Sequence, residues 1–482
     1  MDSFKSYSNI QMASAHGSQS DENYDVPLPT GDNWPYGKME LPRTKPDEVL
    51  NSTDVKCPGY KNTSTAWWDS SQIYGSSEVV TKTLRNMHSD GKLLLTKEGR
   101  EQFIPRDANG NPLTGFNNNW WIGMEILHTL FAMEHNAICD TVRRANPDWS
   151  GDKIFDKARL INCALIAKIH TLEWTPAILA HPTLKVAMNA NWWGLAGETL
   201  TKMLGRISKT SEVISGIPGS GIDQFGVPYS LTEEFVSVYR MHSLIPDAIA
   251  FFDAKDGKHK STIPLEDMLF TNAQQPLDNG LSFADVFYSF GINYPGAITN
   301  SNYPNFLRNL TTPDGLHRDM GTVDLLRDRE RGVPRYNEFR RLLRMSAPKT
   351  FEELTGGNKS LAAELSSAYN GNIELVDALI GSHSEPLPAG FGFSDTAFRL
   401  FILMASRRLK SDRFIAGQWN SETYTKEGLK WVQDSGMKDV LLRHFPELQG
   451  VLKKTKNVFG QWDKLPKSVD YEGIETNAPR AK

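Results

Sequence analysis

WWIGMEILHTLFAMEHNAICDTVRRA (120–145) and DKIFDKARLINCALIAKIHTLEWTPAILA (152–180) decide the fold class. In the first, Ile126, Leu130, Phe131, Met133, Ile138 and Val142 form a broad apolar face of helical period. NPDWS (146–150) caps and breaks it. The second is apolar enough to be mostly buried. Pro176 has no amide hydrogen to give a helix interior, so this helix should kink or split near Trp174. EHN (134–136), set between LFAM and AICD, reads as a polar knot in helix packing rather than a metal site.

A third helix is expected from Ser230, where Ser230 and Glu233 have the S-x-x-E spacing of a capping box, and Pro246 should end it. Further helices fit 264–290, 336–345, 360–380, 395–411, 426–433 and 437–443. Strand patterns are few and short. Residues 1–20 are polar and without pattern. Residues 21–62 are rich in Pro, Gly, Asn and Asp and read as ordered coil or a wrapping arm. With no clear linker and no internal repeat, the chain reads as mainly α: one large domain over 21–465, a disordered 1–20 and a tail over 466–482.

The 482 residues carry a net charge of −4 and no long basic run, so nothing argues for a nucleic-acid partner. Three cysteines, Cys57, Cys139 and Cys163, suit free thiols in a reducing compartment better than a disulfide framework. MDSFKSYSNIQMASAHGSQSDEN has no apolar core of a signal peptide, and no window approaches the about 18 uncharged apolar residues of a spanning helix. The sequons at Asn51, Asn62, Asn309 and Asn358 are chance matches on this reading. A cytoplasmic protein, or one in peripheral contact with membranes, is expected.

Three places carry candidate chemistry. In SVYRMHSLIPD (237–247), Tyr239 and His242 stand three apart, one turn apart on one helix face. An imidazole there can ligate haem iron, and a tyrosine beside the ring can become a radical. On spacing alone, a packed core pair explains them better. In STAWWDSSQIYGS (64–76), Thr65, Trp67, Asp69 and Ser71 alternate. An extended loop would turn two hydroxyls, a carbonyl and a carboxylate to one point, as Ca²⁺ prefers. The alternative is a packed Trp-rich loop with Asp69 as turn former. Thirdly, His170 and Thr175 in HTLEWT, with Arg407 or Arg408 in MASRRLKSDRF, could bind a carboxylate. Ordinary helix burial and ion pairs would also account for them.

TAWWDSSQIYGS, LFAMEHNAICD, AKIHTLEWT, GVPYSLTEEFVSVYRMHSLIPD, RDRERGVPRYNEFRR and MASRRLKSDRF, in this order, closely resemble the fatty-acid α-dioxygenases. These belong with the animal-type haem peroxidases and cyclooxygenases. The resemblance covers roughly 21–465 and implies a mainly α, animal-type haem peroxidase fold around a buried haem b. It implies His242 as proximal iron ligand and Tyr239 as catalytic radical. Thr65, Trp67, Asp69 and Ser71 match a calcium loop, with Trp67 using its carbonyl. His170, Thr175 and Arg407 match residues holding a fatty-acid carboxylate, with Arg408 the alternative. Asn337 matches an asparagine that bonds the proximal histidine in related peroxidases. The implied partners are a long-chain fatty acid, O₂ and an activating hydroperoxide. The implied product is a 2-hydroperoxy fatty acid.

The sequence departs from this pattern at one point. The family's distal histidine, in F-x-x-H-D, should fall within NIQMASAHGSQS (9–20), where His16 is followed by glycine and serine. An N-terminally truncated chain is expected, with a weakened Ca²⁺ site. Without a general base to help cleave the peroxide, impaired turnover is also expected. The competing expectations are an inactive haem- or fatty-acid-binding relic of the same fold and a plain helical scaffold.

Overall fold

Helix α1 (Ile122–Ala145) and helix α2 (Gly151–Ile169) pack side by side. In this computed structural model residues 19–28, 30–32, 34–45, 47, 60, 65–86, 88, 90–98, 101–226, 229–312 and 315–467 are described. The readings made for residues 1–18, His16, Asn51, Cys57, Asn62 and the tail beyond 467 lie outside them. Cys139 and Cys163 are free and buried.

The polar knot of α1 is visible in its bonds. Glu134 accepts from Trp431 Nε1 at 2.8 Å and pairs with Arg443 and with His444 Nε2 at 2.8 Å. His135 joins Tyr74 Oη and the Gly91 carbonyl, each at 3.0 Å, and Asn136 brackets the backbone of Leu93. Glu134, His135 and Asn136 thus each find partners on other parts of the chain, which is the condition for burying them.

Helices α3 (Pro182–Trp193), α4 (Gly197–Leu204) and α5 (Glu212–Ser215) follow. Then come α6 (Glu233–Val238), α7 (Met320–Glu330), α8 (Tyr336–Leu342), α9 (Asp395–Ser411), α10 (Lys426–Asp434) and α11 (Met437–His444). The larger core joins Phe131 of α1, Leu165 of α2, Val432 of α10 and Leu441 of α11 to Phe251 and Phe283. A second core of Trp174, Phe235, Tyr239, Phe393, Phe401 and Met404 lies between α2's end, α6 and α9. The candidate site is built there.

Several boundaries differ from expectation. The cap of α6 is Thr232, whose side chain accepts from Phe235 N, and not Ser230. Glu233 is instead the first helical residue, paired with Arg331. The expected helix 264–290 is broken into 3₁₀ turns and short helices. Gly280 takes φ +94°, and Ser282 with Asp285 makes a full capping box that starts Phe283–Ile292 afresh. The expected helix 360–380 breaks at Asn370 and Gly371, both of positive φ.

The described residues hold four two-stranded antiparallel sheets. One of them corrects the reading of the N-terminal segment. Strand β1 (Gln19–Val26) pairs with β2 (Met39–Thr44), so part of the expected coil is a hairpin. It wraps onto α7: the Pro42 carbonyl accepts from Arg327 at 2.6 Å, and Thr44 donates to Glu330 through N at 2.8 Å and Oγ1 at 2.6 Å. No described helix is long and apolar enough to cross a membrane.

Candidate active site

Tyr239 and His242 do not share a helix. Helix α6 ends at Val238, Tyr239 caps it, and His242 begins a separate 3₁₀ turn. The reason lies in Arg240. Arg240 and His242 both meet Asp324, which residues two apart on a continuous helix would not do. Arg240 pairs with Asp324 and lies 3.6 Å from Asp328, which also accepts from Ser237 Oγ. His242 Nδ1 lies 2.8 Å from Asp324 Oδ2. Asp324 and Asp328, four apart on α7, therefore anchor the whole segment from below.

The two carboxylates divide one guanidinium unequally. Burial pushes both up. At Asp324 the charges of Arg240 and His242 more than offset it, and the group stays below its ordinary value. At Asp328 burial prevails over Arg240 and the Ser237 bond, and the value rises to about 6. Asn337 is not the imidazole's partner: its amide donates to the Pro348 carbonyl at 3.1 Å and to Glu374 at 2.8 Å. Asp324 occupies that role. Its only sequence signal was a pair of acids at helical i,i+4 spacing in VDLLRD, beside a buried arginine.

Tyr239 is buried between rings. It stacks on Phe235 at 5.0 Å and on Phe401 at 5.5 Å between centroids, and Trp174 lies 6.4 Å away. Trp174 in turn stacks on His170 at 4.9 Å. These neighbours come from the expected break in α2. Helix α2 ends at Ile169, and His170–Trp174 form a π turn before Thr175–Ile178. Pro176 cannot continue the ladder, and the widened turn is the local answer. Thr175 closes it, its N and Oγ1 both bonded to the His170 carbonyl.

His170, Thr171 and Thr175 line a small cavity with Met188 and Asn191 of α3 and with Phe401, Ala405 and Ser406 of α9. Arg407 is next to Ser406 but outside this lining. Arg408 is committed elsewhere: its guanidinium donates to the Ala66 carbonyl at 3.2 and 3.1 Å and covers the Trp68 ring.

The loop at 65–71 is not extended. It bends at 66–68, Ser70 takes φ +50°, and Ser71 opens a helical turn. Thr65 Oγ1 accepts from Trp67 N, and Asp69 Oδ1 from Ser71 N, the two-residue turns these side chains favour. Arg159 donates to the Asp69 carbonyl and lies 3.8 Å from its carboxylate. One carboxylate beside a guanidinium does not by itself fit Ca²⁺. No group of three or more acids, histidines or cysteines suited to a metal occurs among the described residues.

Glu173, inside the π turn, was not singled out by sequence. Its carboxylate accepts from Met437 N at the start of α11, at 3.0 and 3.2 Å. Lys168 gives its Nζ to the carbonyls of Val432, Gln433 and Ser435 at the end of α10. Acid and amine thus each meet the favourable end of a helix dipole. Burial, against the Met437 amide and Lys168, pushes Glu173 up from 4.5 to about 7. A raised acid favours the folded state while it holds its proton, so stability falls as pH rises from 4.5 to about 7. Glu173→Gln keeps an acceptor for Met437 N. It should flatten the urea midpoint across that window and exceed the wild type above it, by on the order of 3 kcal/mol at most.

The chain belongs to the animal haem peroxidase family, which matches residues 2–459. Alpha-dioxygenase PIOX of Oryza sativa subsp. japonica is 40% identical over 453 residues, 91% of this chain and 72% of that protein. The crystal structure of the Oryza sativa fatty acid alpha-dioxygenase matches with a TM-score of 0.87 at 35% identity, over 96% of this chain and 76% of that one. A tyrosine-to-phenylalanine form of the same enzyme, with palmitic acid, also gives 0.87, at 34% identity over 96% and 77%. The mainly α haem peroxidase fold and the likeness to fatty-acid α-dioxygenases read from the motifs are both upheld. Membership implies haem, and the donor set fits it: with Nδ1 of buried His242 on a carboxylate, Nε2 is the nitrogen that would ligate iron.

Proposed function

We propose that the chain is a haem-dependent fatty-acid α-dioxygenase. The observation that carries this is the position of Tyr239. It joins the segment fixed by Asp324 to the aromatic wall shared with His170, whose cavity also holds Thr175. His242 would hold the iron through Nε2. When bound, haem supplies the one-electron oxidation that an activating hydroperoxide drives and that makes Tyr239 a phenoxyl radical. The phenoxyl oxygen takes a hydrogen atom from the α-carbon of a long-chain fatty acid, and O₂ adds to the carbon radical. The peroxyl radical then recovers the hydrogen atom from Tyr239, giving the 2-hydroperoxy acid.

His170 and Thr175, with Arg407 from α9, would fix the substrate carboxylate, so that only the α-carbon reaches Tyr239. The aromatic wall excludes water from the radical. The loop with Thr65, Trp67, Asp69 and Ser71 would hold Ca²⁺ only with a carboxylate from elsewhere, and no step is assigned to it. NIQMASAHGSQS supports a second reading, a haem- or fatty-acid-binding relic, because it supplies no F-x-x-H-D.

Haem titration of the purified protein, followed by oxygen uptake on a long-chain fatty acid, tests both. A one-to-one Soret band that His242→Ala abolishes, followed by hydroperoxide-primed uptake, is the expected result. The same band without uptake assigns the relic. No band in the wild type overturns the haem reading.

A further inference from the structure

Half of the large apolar side chains that stand exposed among the described residues fall between Val186 and Phe225. Eight of these ten, from Val186 to Ile214, belong to one unit. Leu195 N bonds the Val213 carbonyl, Ala196 N the Ile214 carbonyl, and Ile217 N the Asn191 carbonyl, tying α3, α4 and α5 together. In α4, Leu200, Met203 and Leu204 have the i, i+3, i+4 spacing of one helix face. Met203 is 73% and Leu204 66% exposed, whereas Thr201 turns inward. A soluble face has no use for such a stripe, and contiguous exposed apolar surface marks an interaction site.

Charge separates the candidate occupants. The chain carries −4 overall, yet residues 181–225 hold Lys185, Lys202, Arg206 and Lys209 against Glu198, Glu212 and Asp223. Glu198 pairs with Lys202, which Asp434 also approaches at 3.7 Å, and Glu212 pairs with Lys410. Lys185 and Lys209 are exposed. Apolar side chains among cations fit a lipid surface with anionic headgroups. A second copy of this face would bring like charges together.

Position adds a use. Helix α3 turns Val186 outward, 67% exposed, and turns Met188 and Asn191 into the cavity that holds His170 and Thr175. We propose that the face built by α3, α4 and α5 docks on an anionic lipid surface. The substrate cavity then lies directly behind the docked face. That link to the cavity rests on the fatty-acid reading above; the docking does not.

The test is co-flotation of the full chain with vesicles of phosphatidylcholine alone or mixed with phosphatidylserine, and gel filtration over a range of protein concentrations. The wild type should float with the mixed vesicles, less so with phosphatidylcholine alone, and less in high salt. Met203→Asp with Leu204→Asp should weaken binding by about tenfold or more. Lys209→Glu should weaken it by about fivefold or more. All three positions are exposed, so the variants should keep the wild-type melting temperature. Failure to float, or floating unchanged in the apolar double variant, overturns the proposal. So does a concentration-dependent dimer that the double variant abolishes, which would assign the face to a second copy. Flotation needs neither haem nor turnover, so its failure leaves the dioxygenase reading standing, and the reverse also holds.

Discussion

Tyr239→Phe should bind haem as the wild type does and take up no measurable oxygen on a long-chain fatty acid. The substitution removes one oxygen atom. The ring keeps its stacks on Phe235 and Phe401, and the packing of the second core is unchanged in shape. Phenylalanine has no O–H bond from which a radical can be made at an accessible potential, and so nothing takes the α-hydrogen. An interaction made only in the reacting state is lost, and the rate should drop about a thousandfold or more with little change in fatty-acid affinity. The measurement is hydroperoxide-primed oxygen uptake beside palmitate binding and the Soret band. Uptake within tenfold of the wild type would move the radical to another residue and remove the central step of the proposed function.

Removing Asp324 should be the most damaging single truncation to stability. Asp324 is fully buried between Arg240 and His242. In Asp324→Ala the guanidinium stays buried with only Asp328, 3.6 Å away, beside it. Breaking a buried pair from one side costs about 3–5 kcal/mol. That is a large part of the about 5–15 kcal/mol that holds a typical domain folded. Asp324→Asn keeps the volume and an acceptor but not the charge, so it should cost less. It should still raise the iron midpoint potential of the haem-loaded protein, since a carboxylate on Nδ1 makes the ligand more basic. Asn337→Ala, by contrast, should loosen the contacts to Pro348 and Glu374 and leave the potential where it was. Denaturant melts and a redox titration of the three variants distinguish these outcomes. An unmoved potential in Asp324→Asn would show that the contact does not tune the iron ligand.

The motifs carried the family because their residues answer to local chemistry that a one-dimensional pattern records. Proline at 176 foretold a break in α2 because a missing amide hydrogen has the same effect in any context. Helix α9 appeared where its period placed it, at Asp395–Ser411, and EHN behaved as a knot because apolar neighbours force three polar groups to find partners. The expected helix through Tyr239 and His242 failed for a non-local reason. Arg240 forms ion pairs with Asp324 and Asp328, over eighty residues away, and the chain leaves the helix to reach them.

The same division holds for the site. Sequence determined that this is a mainly α haem peroxidase relative, and it supplied Tyr239, His242, His170 and Thr175 as candidates. Only the tertiary structure decided what stands beside them. It set Asp324, not Asn337, against the imidazole, and sent Arg408 to the Ala66 carbonyl. It also turned the 65–71 loop into a bend, with Arg159 beside Asp69. Helical period and turn chemistry are properties of neighbours along the chain. The partner of a buried charge is whichever opposite group the fold brings within a few ångströms, and desolvation makes that choice obligatory without writing it into either segment.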